Sequence, residues 1–467
     1  MTEAVPELLE LTAGPVAHGG HVVARVGDDP AGRVVFVRHA IPGERVRVRL
    51  TEADPAARYW RGDAVAVLEA SPARVEPPCP YAGPGRCGGC DFQHVRLDEQ
   101  RRLKAAVVTE QLARLGGTDV EAATGHPLVV AALPEPGREP GEETGLGWRT
   151  RVRYSVDPAG RVGFHPHREH TVLPVERCPL VADDVDATGV TRLPWPGVAS
   201  VSVQAGEDGA VVRADPPRPS RGSGRDRRQH RGGGAGTAAR PPRLPRVDAL
   251  GLVLGGGHRV AGRTWVRHDV AGVGTFRVSG DGFWQVHHAA ADTLVRLVRE
   301  LAATRPGDTV LDLYAGAGLL SLALAADTGD SGRVVSVESD PRGAADLRRN
   351  AHDHPNVTVV ERRVEAALEQ DEQDEQDEHE RAGVPSAADV VVLDPPRAGA
   401  GAAVLDRVRA LGPRRLVVVS CDPAALGRDT GLLAARGYRL ADLRALDAFP
   451  MTHHVECVAL FLPEEPT

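Results

Sequence analysis

Between Leu8 and Ala70 apolar positions alternate with polar ones in short runs: HVVARV, RVVFVRHA, ERVRVRL and GDAVAVLEA. Gly, Pro and Asp separate the runs. Such period-two alternation predicts half-buried strands of a small β-barrel. The alternation also sets Arg45, Arg47 and Arg49 on one outer face, a basic surface suited to an OB-like nucleic-acid module or simply to a solvated sheet. From Pro72 the texture turns to Pro and Cys. A helix is expected over Leu97 to Leu115, stopped by Gly116 and Gly117. Extended segments RTRVRYSV, GRVGFHP and VASVSVQA then predict a mixed β region. A further helix is expected over His287 to Ala303. After it apolar strands and helices take turns: TVLDLYAGAG, RVVSVES, NVTVVER, DVVVLDPP, RRLVVVSCDP and ECVALFLP. That alternation predicts a parallel sheet with both faces covered.

The pattern therefore describes a multidomain chain: an OB-like barrel over 6–71, a central mixed β region over 72–275, and an α/β Rossmann-like domain over 276–467. A length of 467 residues agrees, because one core stops growing at roughly 250 to 300 residues. Two segments stand outside the pattern. Residues 214–247, with RPSRGSGRDRRQHRGGG at their centre, cannot bury enough apolar area to fold alone and are expected to be a disordered insertion. The acidic EQD repeat around 370–380 is expected to be solvated. The formal net charge of −8 argues weakly against an RNA partner, since local distribution outweighs the sum. No apolar run approaches the ~20 residues of a membrane span. Acids and no basic leader occupy the first residues, so a cytoplasmic protein without membrane attachment is expected.

Candidate chemistry collects at strand ends. In VLDLYAGAGLLS the strand runs into Gly316 and Gly318, which permit a tight turn and close ligand approach. The next strand ends in Glu338, placed to accept hydrogen bonds from two ribose hydroxyls. With no third glycine at the dinucleotide spacing, this pattern favours S-adenosylmethionine over NAD. Asp394-Pro395-Pro396-Arg397 ends another strand and faces the same crevice. Cys421 follows the strand ending at Ser420, and Glu456 begins the last one. A thiolate adding at uracil carbon 6 would make carbon 5 nucleophilic, and a carboxylate could then remove its hydrogen. Four further cysteines, at 79, 87, 90 and 178, form one CxxC and two isolated positions. They could hold zinc or an iron-sulfur cluster, and the spacing favours the latter.

Taken together, CGGCDFQH, FWQVH, LDLYAG, VVSVES, DPPR, SCDP and FPMTHHVE resemble the bacterial RNA uracil-C5 methyltransferase family over nearly the whole chain. The resemblance implies a TRAM-type barrel, a class I methyltransferase domain, structured RNA (tRNA or 23S rRNA) as partner, and action as a monomer. It implies Cys421 as nucleophile and Glu456 as base. It further implies S-adenosylmethionine contacts at Gln285, Tyr314, Glu338 and Asp394, and a structural [4Fe-4S] cluster on Cys79, Cys87, Cys90 and Cys178. Asp422 departs from the Asn common after the nucleophile, and seven residues rather than five separate Cys79 from Cys87. Two other readings stay open: methylation of another RNA base without covalent catalysis, and a non-catalytic iron-sulfur RNA-binding protein.

Overall fold

The computed structural model describes residues 7–217, 244–255, 258–369 and 383–464. Most of the Arg/Gly insertion and the acidic repeat lie outside them. Six strands, Leu8–Thr12, Val16–Ala17, His21–Arg25, Val34–Arg38, Arg45–Glu52 and Tyr59–Glu69, form the N-terminal sheet. Val22, Val35, Val37, Val46, Val48 and Trp60 point inward and make its core. The alternate residues face out, as a period-two strand requires. Arg45, Arg47 and Arg49 are indeed exposed. Arg45 and Arg47, however, both pair with Glu10 of the neighbouring strand.

A seven-stranded sheet follows, built from Leu173–Pro174, Val162–Phe164, Arg151–Val156, Ser200–Gly206, Gly209–Asp215, Gly251–Leu254 and His258–Gly262 in that spatial order. Trp195, Tyr154, Val201 and Val203 are buried against it. A hairpin, Trp265–Val270 with Gly274–Ser279, leads into the last unit.

That unit is an eight-stranded sheet in the order Val357–Glu361, Arg333–Glu338, Thr309–Leu313, Val390–Leu393, Arg415–Ser420, Glu456–Pro463, Tyr438–Asp447 and Val130–Ala132. The first five strands are parallel, as the alternation of strands and helices demands. Glu456–Pro463 runs antiparallel to both its neighbours, so the sheet is mixed rather than wholly parallel. Alternation within each strand builds two cores. Val310, Val334, Val392, Val417 and Val458 face the helices Ala290–Ala302 and Leu319–Thr328. Leu311, Val335, Val391, Val418 and Cys457 face the other side, where Leu97–Gly116 and Pro423–Ala434 pack. Each face buries its own apolar layer.

The helix Leu97–Gly116 also holds the loop that precedes Glu456. Fully buried Lys104 donates to Asp447 at 2.5 Å and to the Phe449 carbonyl at 3.0 Å. Gln100 accepts from the Met451 amide at 2.9 Å. Among the described residues no helix is long and apolar enough to cross a membrane.

Candidate active site

Strand order reverses on either side of Thr309–Leu313, and ligands of open α/β sheets bind beyond the carboxyl ends of strands at such a point. A cavity of about 1110 Å³ opens there. Cys421, Glu456, Asp394, Arg397, Glu338, Tyr314 and Gln285 all line it. Strand pairing explains how the two proposed reactive groups meet. Ser420 stands across from Cys457 in the antiparallel pair. Cys421 and Glu456, each next to one of that pair, both line the cavity. Cys457 points the other way and is fully buried in the core. Past the thiol, Asp422 caps the helix Pro423–Ala434 by accepting from the Ala425 amide at 2.8 Å. Its other oxygen meets His18 of the barrel at 3.2 Å. Burial would push the Asp422 carboxyl up, but the bond to His18 prevails and holds it at about 2. The Asn-to-Asp departure is thus matched by a partner from another part of the chain.

The cavity floor is rich in acids. Burial, and after it the charge of the neighbouring Asp312, pushes Asp394 up to about 7. Glu456, 5% exposed, is raised well above the carboxylate range by burial and by the charge of Asp394, against a pull from Arg397. Burial and the neighbouring charge of Glu456 push the Cys421 thiol up to about 11, while Arg397 lowers it by its charge and by a hydrogen bond. Arg397 is therefore the cation that favours the thiolate. Sequence reasoning noted it only as the last residue of the Asp-Pro-Pro-Arg segment. Phe283 was likewise missed; it is 56% exposed where the large cavity meets a smaller one.

The role of Arg397 can be tested with the protein alone. Capture of Cys421 by iodoacetamide, followed by peptide mass spectrometry, should climb about tenfold per pH unit from pH 7 to 10, because thiolate is the reactive form and its fraction grows that way below the pKa. In Arg397→Gln the thiol loses its cation, its pKa moves further up, and capture at each pH should fall several-fold. A plateau near pH 7 in the unaltered protein would contradict this account.

The small cavity, about 40 Å³, lies beneath the glycine turn and is lined by Trp284, Gln285, Asp312, Tyr314, Leu320 and Asp394. Tyr314, Gly316 and Gly318 all have positive φ, at 67°, 56° and 93°. For a tyrosine this conformation is strained, and such strain gathers at ligand sites. Glu338 is locked against the turn, accepting from the Gly316 amide at 2.8 Å and from the Asp340 amide at 2.6 Å. Asp312 bonds Ser321 through one oxygen. Its other oxygen is buried with no partner. Buried Asp312 and partly buried Asp394 facing a cavity fit a cationic ligand, such as one bearing a sulfonium and an ammonium group.

Cys79, Cys87, Cys90 and Cys178 line a small cavity with Tyr81, Gln93 and Phe164, and Cys87, Cys90 and Cys178 also border the large one. None forms a disulfide. Burial, and then the neighbouring sulfurs, raise the Cys90 thiol, and Gln93 donates to its sulfur at 3.4 Å. Among the described residues no three His, Cys, Asp or Glu side chains are gathered as one metal ion requires. The four sulfurs thus face a common space without converging on a single point.

Comparison with known proteins identifies the family. Residues 269–464 match the family model for tRNA (uracil-5-)-methyltransferase, and residues 8–65 match the TRAM domain. An uncharacterized RNA methyltransferase of Streptomyces avermitilis is 45% identical over 465 residues, covering 98% of each chain. One from Streptomyces coelicolor is 44% identical, covering 98% of this chain and 93% of its own. The crystal structure of Pyrococcus abyssi tRNA (uracil-54, C5)-methyltransferase in complex with S-adenosyl-L-homocysteine superposes with a TM-score of 0.64 at 19% identity, covering 98% of this chain and 99% of that one, which shows a shared fold. The chain belongs to the RNA (uracil-5-)-methyltransferase family, and is an S-adenosylmethionine-dependent enzyme with an N-terminal TRAM domain.

Proposed function

We propose that the enzyme methylates carbon 5 of one uridine in structured tRNA or 23S rRNA, through a covalent bond from Cys421 to carbon 6 of the uracil. The observation that carries this reading is that Cys421 and Glu456, each next to the paired Ser420 and Cys457, line one cavity. Cys421 sulfur bonds to carbon 6, and the ring electrons move to carbon 5 as an enolate. The cofactor, when bound, supplies an electrophilic methyl group; Gln285, Tyr314, Glu338 and Asp394 would hold it. Carbon 5 then carries both methyl and hydrogen. Glu456 takes that hydrogen as a proton, the electron pair reforms the ring double bond, and the carbon–sulfur bond breaks to return the thiolate.

Burial and neighbouring acids push both reactive groups up in the protein alone, so the Cys421 thiol must first give its proton to water before its sulfur can add to carbon 6. Positive charge beside Asp394 would relieve the repulsion that pushes them up. Arg397 keeps the thiolate accessible. Phe283 offers a bare ring on which an extruded base could stack.

Residues 6–71, 72–275 and 276–467 are read as the RNA-binding barrel, the cysteine-bearing unit and the catalytic unit of a cytoplasmic enzyme. Cys79, Cys87, Cys90 and Cys178 would hold a [4Fe-4S] cluster of structural role. Supporting this, their sulfurs share one cavity, and thiolates spread around a space suit a multi-iron cluster better than one ion. RNA carrying 5-fluorouridine at the target should trap a covalent adduct, since fluorine at carbon 5 cannot leave as a proton. Mass spectrometry should place that RNA on Cys421. Methylation without any trapped adduct would favour a non-covalent enzyme acting on another base.

A further inference from the structure

Strand alternation puts His21, Phe36, Tyr59 and Arg61 on the outer face of the barrel, with Val22, Val35 and Trp60 in its core. Pairing of Val34–Arg38 with Tyr59–Glu69 brings Phe36 beside Arg61. The rings form a row in which each is set edge-on to the next. His167 and His21 are 6.1 Å apart between centroids, His21 and Phe36 6.2 Å, and Phe36 and Tyr59 5.2 Å. The Arg61 guanidinium lies 4.8 Å over Tyr59.

One end of the row lies next to the segment that borders the active-site cavity. Gly88 bonds the His165 carbonyl at 3.0 Å, and a Cβ on Gly88 would come within 2.7 Å of the His167 nitrogen. Its neighbours Cys87 and Gly89 line the cavity that holds Cys421. At the other end Tyr59 is 41% exposed, which core packing does not explain. Arg61 and Arg168 flank the row and share Glu52. Burial keeps His21 and His167 below the ordinary imidazole range, so their rings are neutral at pH 7.

We propose that this row is a stacking track for unpaired nucleotides of the RNA adjoining the target base. It deepens, and rests on, the reading of RNA as substrate. Successive bases stack on aromatic side chains and Arg planes whatever their sequence, and the corresponding face of OB folds takes oligonucleotides.

Binding of a fluorescein-labelled oligouridylate, read by anisotropy, tests the track. Tyr59→Ala should weaken binding about tenfold, in the range for loss of one base stack. The slope of log Kd against log salt should stay unchanged, because no phosphate contact is removed. Tyr59→Phe should restore affinity, and Arg45→Gln with Arg47→Gln should alter it less than twofold. Binding by Tyr59→Ala within twofold of the unaltered protein, or a larger loss from the arginine pair, would overturn the proposal. Tyr59→Ala should still form the 5-fluorouridine adduct at saturating RNA, so failure of the track and failure of the covalent reading are told apart.

Discussion

Replacing Glu456 by glutamine is expected to slow turnover by about 10²- to 10⁴-fold, the range a positioned general base contributes, while protein–RNA adduct accumulates. The reason lies in where Glu456 stands. It opens the strand Glu456–Pro463, is nearly fully buried, and lines the same cavity as Cys421. Glutamine keeps the size but cannot take the hydrogen from carbon 5. It leaves the thiol and the Arg397 that favours its thiolate in place, so attack on carbon 6 should still proceed. RNA tritiated at uracil carbon 5 separates the steps. Tritium release should nearly stop, and adduct stable to denaturing electrophoresis should build up. Release at the unaltered rate would take Glu456 out of the base role.

The parts of this site readable in the sequence were those set by alternation. Val417 and Val419 face one helix layer and Leu416 and Val418 the other, so the strand, its end and the place of Cys421 could be read from one line of letters. Glu338 and Asp394 were legible for the same reason. Partners brought by other strands were not. The run of outward arginines in Arg45–Glu52 is visible in the sequence, but the Glu10 that neutralises two of them comes from a strand paired far away in the chain. Tyr438–Asp447 was missed because Arg439, Asp442 and Arg444 interrupt its apolar residues. Val130–Ala132 is too short to carry a period of its own. The grip of His18 on Asp422 and of Lys104 on Asp447 joins residues hundreds of positions apart. Local pattern holds no trace of such pairs.

These long-range contacts bear on how loss of the nucleophile should be read. Cys421→Ser is expected to lower methyl transfer on the order of 10⁴-fold or more, as when a nucleophile that acts in concert with a base is removed. The hydroxyl is close in size to the thiol, and Cys421 itself is only half-buried. Asp422 keeps its bonds to Ala425 and His18, so the loop and its helix should hold their place. Stability should therefore change by less than about 0.5 kcal/mol, as for a mild surface replacement, and RNA affinity should be preserved. Radiolabelled methyl incorporation, checked beside a thermal melt and an RNA titration, measures all three. The decisive comparison is Cys421→Ser with Glu456→Gln combined. If the thiolate must add before the base has any hydrogen to remove, the double variant should be no slower than Cys421→Ser alone. A further multiplicative loss would mean that the two side chains act independently, and that the ring is not activated through sulfur.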